Sequence, residues 1–203
     1  MATDSTSFGQ FMVSRPIVAA SLAGWIVGDP VSGATLGVVL EAFHLNVLPV
    51  GAARYPEAGP AAVVAGAAYG TAGPSPGAML IAISFALGWE WVAGKSVQRL
   101  RHANVHVAGA PAEDAAALQR RHLGATGLDF LRGVVLFVVG YALLTVVLMA
   151  LAPRWGLDDR ITALLTGGIL VGLLAGSFRL MGGRTTWFVV GLAGGVAILL
   201  ATA

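Results

Sequence analysis

The chain reads as an all-α integral membrane protein of about six to seven apolar segments, with broken or re-entrant helices in its N-terminal half. Three observations predict this. Hydrophobic residues fill 57% of the 203 positions and charged residues only 11%, against about 25% charged in soluble domains. The mean hydropathy is +0.81. Before Lys95 the apolar runs are interrupted by Gly, Pro and acids more often than an uninterrupted helix of the ~20 residues needed to cross a hydrocarbon core would allow.

Met1 to Gln10 is polar and has no basic n-region, so no secretory signal is read there; the apolar runs themselves are expected to direct insertion. Pro16 to Gly28 is too short for a simple span and is expected to be a broken or re-entrant helix. Gly28, Asp29 and Pro30 then punctuate the chain. Gly relieves a left-handed helix end, Asp accepts from orphan N–H groups, and Pro suits a first helical position, so one helix stops and another starts.

On the second helix Gly33, Gly37 and Glu41 recur every four residues, a seam of small side chains that ends in a carboxylate. His44 follows close behind. An ionised group at membrane depth costs about 2.5–3.5 kcal/mol, so Glu41 is expected to face protein, a cavity or a ligand. Two readings follow: a structural acid paired with Arg15, Arg54 or His44, or a contact to a transported ligand. Asn46 costs less at that depth and suits either a ligand hydroxyl or an interhelical hydrogen bond. Glu57 follows Pro56, with Arg54 as a possible local partner.

Ala58 to Gly73 is rich in Ala and Gly and is expected to pack tightly, with Gly73 to Gly77 as a turn. Ala78 to Gly94 is the next apolar segment. Trp89, Glu90 and Trp91 near its end suggest an interfacial belt, with Glu90 at the interface. From Lys95 to Arg121 the bases Lys95, Arg99, Arg101, Arg120 and Arg121 oppose Glu113 and Asp114, which the positive-inside rule reads as cytoplasmic. Asp114, Ala115 to Leu118 and then Arg120 have the acid-first, base-last order of a short surface helix. His102 and His106 share a helix face, but no third ligand is placed beside them, so no metal site is expected.

Gly133 to Ala152 is the clearest span, twenty residues without a charge. Asp129 and Arg132 guard its entrance and are expected to pair locally. Pro153 to Arg160 has no positive excess and reads as external. Ile161 to Phe178 returns, with Gly168, Gly172 and Gly176 as a stripe for helix contact. Arg179 and Arg184 mark a second cytoplasmic turn, and Thr185 to Ala203 runs outward. Three regions are therefore expected: 1–94, a membrane region with broken helices and the candidate substrate site; 95–132, a cytoplasmic loop with a short amphipathic helix; and 133–203, a three-span membrane region.

Several chemistries are excluded. There is no cysteine, hence no disulfide, thiolate metal site or cysteine phosphorylation. No Walker loop, dinucleotide fingerprint, zinc motif or nucleophile elbow is present, and no cofactor is expected. The formal charge of +2 lies beside apolar segments, which fits membrane topology and not nucleic-acid binding.

The run Gly28, Asp29, Gly33, Gly37, Leu40, Glu41, then Pro49 to Ala52 and Pro56, Glu57, resembles the IIC membrane component of the mannose/fructose/sorbose family of the bacterial phosphotransferase system. Arg15-Pro16 and the segment from Arg101 to His122 look like that family's corresponding segments. The resemblance implies a sugar permease subunit in the bacterial cytoplasmic (inner) membrane that imports a hexose-type sugar coupled to phosphorylation. It also implies a IID membrane subunit and a IIB phosphoryl carrier as partners, and an oligomeric assembly. The phosphoryl-accepting histidines would lie on IIA and IIB, none in this chain. The substrate-binding candidates are Glu41, Asn46, His44, Asp29 and Glu57, the last standing where the family often has Asp. The family has a further apolar helix ahead of its Arg-Pro, whereas fourteen residues precede Arg15 here. Two other readings stay open, a non-transporting membrane scaffold or regulator and a facilitator that moves solute without phosphorylation.

The charge pattern makes a testable statement about orientation. Single cysteines placed at Ser96 and at Gly183 are expected to resist an impermeant thiol reagent added to intact cells, and one at Asp158 to react. The reverse labelling pattern would invert the topology.

Overall fold

A computed structural model describes residues 11–45, 56–108 and 114–180, together with Val189 and Ala193. The described chain is all-α, with no strand among these residues. Its helices are α1 (Pro16–Ile26), α2 (Pro30–His44), α3 (Ala58–Ala72), α4 (Pro76–Ala108), α5 (Ala115–Leu151) and α6 (Asp159–Leu180), with a 3₁₀ turn over Ala152–Arg154. The expected span from Thr185 to Ala203 lies outside the described residues apart from Val189 and Ala193.

Two lengths of helix divide the fold. At 1.5 Å per residue, α1 is about 16 Å long and α2 and α3 about 22 Å each, less than the ~30 Å of a hydrocarbon core. Segments over Pro76–His106, Ala115–Arg154 and Asp159–Ser177 are long and apolar enough to cross.

The break between α1 and α2 follows from three consecutive residues. Gly28 takes φ +90°, a backbone conformation that costs glycine nothing. Asp29 then caps α2 by accepting the Ser32 N–H at 3.0 Å, and Pro30 occupies the first turn. The chain reverses, and α2 runs back along α1 with backbone against backbone. A Cβ on Gly33 would lie 2.5 Å from the Ala20 carbonyl oxygen and 2.8 Å from the Gly24 Cα; one on Gly37 would lie 3.0 Å from the Ile17 Cα. The four-residue seam thus serves close helix approach.

Helix α3 forms the centre. It carries no charge and is apolar on every side, so it is surrounded: Ala61, Ala62, Val64, Ala65, Ala67, Ala68 and Tyr69 are all buried. It packs against α1, α2, α4 and α5. Small side chains make this possible, as at Gly66, where a Cβ would meet the Ala20 carbonyl oxygen at 2.7 Å.

Helices α4 and α5 both extend well beyond this bundle. Helix α4 is 33 residues long and α5 37, or about 50 and 55 Å. The short helix expected after Asp114 is the first turn of α5, with Asp114 accepting the Ala117 N–H at 2.5 Å as its cap. At the opposite end the turn after α5 is tied to the start of α4. The Trp155 ring covers Gly77, where a Cβ would lie 2.5 Å from its Cγ, and the indole N–H donates to Thr162 Oγ1 at 2.9 Å.

One expectation changes. Glu90 is buried in the bundle, at 6% exposure, while Trp91 is 57% exposed; successive helical residues point about 100° apart, so only one of the pair can face the interface. The glycines of the expected contact stripe on α6, Gly167, Gly168, Gly172 and Gly176, meet no described atom within 4 Å of a Cβ position, and the following expected span lies outside the described residues apart from Val189 and Ala193.

The two glycine rows are expected to respond differently to a methyl group. Gly33→Ala should destabilise the purified protein by about 1–3 kcal/mol through overpacking against backbone, and Gly172→Ala should be neutral or stabilise it by up to about 1 kcal/mol, since alanine favours a helix interior. Thermal melts of the detergent-solubilised variants measure both, and equal melting temperatures would contradict the packing.

Candidate functional site

The buried ionisable side chains, His44, Glu57, Glu90 and Asp129, gather at one end of the short-helix bundle. That end comprises the start of α1, the end of α2, the start of α3, the middle of α4 and the span entrance on α5. Three linked arrangements form there.

The first surrounds Glu41. Arg15 is the N-cap of α1 but makes no capping hydrogen bond with its side chain, and Pro16 has no N–H to offer. The Ile17 N–H is therefore an orphan donor. Glu41 of α2 accepts it through Oε2 at 3.2 Å and pairs through Oε1 with the Arg15 guanidinium. A carboxylate is thus placed at the positive end of α1 by the neighbouring helix. This pair is more open than the other two arrangements, with side-chain exposures of 35% for Arg15 and 14% for Glu41.

The second is the His44–Glu90 pair. His44 Nδ1 lies 2.8 Å from the Leu40 carbonyl oxygen, which only accepts, so Nδ1 carries a proton. His44 Nε2 lies 2.8 Å from Glu90 Oε2. One proton fills that bond, whether assigned to the imidazole or to the carboxyl, and in either case the pair has no net charge. This is how two ionisable side chains, each 8% exposed, coexist inside an apolar bundle.

The third centres on Arg132. Its Nε donates to Asp129 Oδ1 at 2.9 Å, Nη1 to Glu57 Oε2 at 2.6 Å and Ser96 Oγ at 2.9 Å, and Nη2 to Glu57 Oε1 at 3.0 Å. Nη2 also lies 2.8 Å from Asp129 Oδ1. Five donors meet acceptors from three helical regions, so the guanidinium is fully engaged. The Glu57 N–H donates to the Glu90 carbonyl oxygen at 3.0 Å, which joins this arrangement to the second.

Of the candidates read from sequence, Glu41, His44 and Glu57 come together here. Asp29 does not; it caps α2 at the far end of the α1–α2 hairpin. Asn46 and Arg54 lie outside the described residues. Glu41 takes Arg15 from the partners considered for it, and Asp129 pairs with Arg132 as their spacing suggested. Glu90 and the longer reach of Arg132 to Glu57 were not anticipated. The available signal was a matching problem: buried acids need cations, and Arg132 stands at the edge of a charge-free run. His102 and His106 are exposed, and no cluster of three metal-ligating side chains occurs among the described residues.

Fold and site together define an all-α membrane protein in which short, broken helices collect ionisable side chains inside the bundle, an arrangement found in membrane carriers. The family model described as "PTS system sorbose-specific iic component" matches residues 1–156, and the chain belongs to that family. The sorbose-specific EIIC component of Lacticaseibacillus casei is 38% identical over 55 residues, a stretch that is 27% of this chain and 20% of that protein. A solved structure described as "Structure of membrane protein" superposes with a TM-score of 0.64 at 19% identity, over 95% of this chain and 86% of that one, and supports the fold.

Arg132→Gln should remove the guanidinium that Glu57 and Asp129 share and destabilise the protein by about 3–5 kcal/mol. Arg132→Lys should not restore it, because an ammonium cannot fill a planar fork. Melting both variants in detergent tests this; a lysine variant as stable as the native protein would show the fork to be dispensable.

Proposed function

We propose that the chain is the sugar-binding permease subunit of a phosphoenolpyruvate-dependent phosphotransferase system. On this reading it is a multi-pass protein of the bacterial cytoplasmic membrane that works with a IID membrane subunit and a IIB phosphoryl carrier. Family membership supports the permease role, and the description of the relative from Lacticaseibacillus casei names sorbose. A hexose-type sugar is the proposed substrate class.

The observation that carries the reading is the Arg15–Glu41 pair. It sits where a helix start supplies partial positive charge, and it is half-open, unlike the enclosed Arg132 arrangement. Adjacent sugar hydroxyls both donate and accept, so one can donate to the Glu41 carboxylate while its neighbour accepts from the Arg15 guanidinium. The ligand then replaces part of an existing pair and leaves no buried charge unpaired. Glu57, with both oxygens on Arg132, is assigned a positioning role at the start of α3, and Asp29 a capping role. His44 lines the same end through its bond to Glu90, and Asn46 remains a substrate candidate by its place in the sequence. Phosphoryl transfer falls to the soluble partners.

Reconstitution with IIB, IID and the general carriers tests this. Glu41→Gln keeps the side chain's shape, but removes its charge and turns one acceptor into a donor. Sugar binding by the assembled complex should fall at least about tenfold, or 1.4 kcal/mol, with complex yield near normal. Unchanged binding with a collapsed yield would make Glu41 structural. Sugar phosphate formation by this chain and the general carriers, without IIB or IID, would overturn the subunit reading.

A further inference from the structure

Helix α4 carries an outward stripe that none of the roles above uses. Ser84, Gly88, Trp91, Lys95, Arg99 and His102 all fall within about 80° of helix circumference at 100° per residue, and all six are exposed. Neither Lys95 nor Arg99 has an ion-pair partner among the described residues, and the stripe carries no acid.

Depth decides what faces this stripe. The turns before α4 and after α5 share one end of the molecule, since the Trp155 ring lies against Gly77. Exposed Asp158, Asp159 and Arg160 mark that end as a membrane surface. Counting from Pro76 at 1.5 Å per residue, Trp91 lies at about 22 Å, Lys95 at about 28 Å and Arg99 at about 34 Å. The hydrocarbon core is about 30 Å thick. The indole therefore sits under the far headgroup layer, the Lys95 ammonium reaches it, and the Arg99 guanidinium lies within it. Arg101, Arg120 and Arg121 stand further out or on other faces.

We infer that Trp91, Lys95 and Arg99 form a binding site for an anionic phospholipid headgroup. Lys95 and Arg99 hold the phosphate and the extra negative charge, and Trp91 lies along the upper acyl chain. An acidic soluble protein fits less well, because the lower half of the stripe lies at lipid depth.

The full chain in phosphatidylcholine nanodiscs, with a minority of acyl-brominated phosphatidylglycerol, tests this through quenching of Trp91. A Trp91→Phe variant subtracts the other tryptophans, and brominated phosphatidylcholine at the same fraction gives the unselective reference. Phosphatidylglycerol should be enriched at least about fivefold at low salt, the factor expected from one base near an anionic surface. The enrichment should vanish at high salt and in Lys95→Gln/Arg99→Gln, and survive in Lys95→Arg/Arg99→Lys. Equal quenching by the two lipids, or enrichment that ignores salt, overturns the site even if the neutral variant fails to fold. Equal quenching together with salt-sensitive poly-glutamate binding that needs both bases would reassign the stripe to an acidic protein.

Discussion

The guanidinium of Arg132 is the fixed point of the described fold. It ties Glu57 at the start of α3 and Ser96 on α4 directly to its own helix, α5, where Asp129 also accepts from it. Removing ions from water costs several kcal/mol each, so the arrangement is tolerable only because every donor finds an acceptor. Its value is geometric. Helix α3 is made of small side chains that would slide over their neighbours, and Glu57 fixes where it begins.

This fixed point sets the character of the neighbouring groups. Glu57 passes its backbone N–H to the Glu90 carbonyl, and the Glu90 side chain holds His44 at the end of α2. Glu41 lies three residues before His44 on that helix and reaches the start of α1. The chain of bonds therefore runs from an enclosed, saturated ion cluster, through a pair with no net charge, to a half-open pair at a helix end. Side-chain exposure increases along it, from 9% and 2% at Arg132 and Glu57, through 8% at both His44 and Glu90, to 35% and 14% at Arg15 and Glu41.

How much of this the sequence made legible depends on the range of each interaction. The all-α membrane class is set by composition, and the break at Gly28, Asp29 and Pro30 by three adjacent residues, so both could be read directly. The seam of Gly33 and Gly37 was readable because small residues at four-residue spacing have one common use. The Arg132–Glu57 pair was not, since 75 residues separate its members and nothing local distinguishes Arg54 from Arg132 as a partner. Glu90 was misplaced for a related reason: its flanking tryptophans suggested an interface, but helical rotation separates a residue from its neighbours. The lengths of α4 and α5 were hidden too, because charged surface turns continue an apolar helix without any break in backbone geometry.

The backbone contact between α1 and α2 has a consequence for biogenesis. Neither helix is long enough to partition from the translocon into lipid as a separate span, and the first also ends in a glycine turn followed by an aspartate. Paired along Gly24, Gly33 and Gly37, the two present a single ribbon in close backbone contact, with the Asp29 N–H donating to the Gly24 carbonyl oxygen across the turn. Such a ribbon still has an uncovered side until α3 is synthesised. Membrane integration of α1 and α2 is therefore expected to be concerted and to be completed only once α3 has been synthesised.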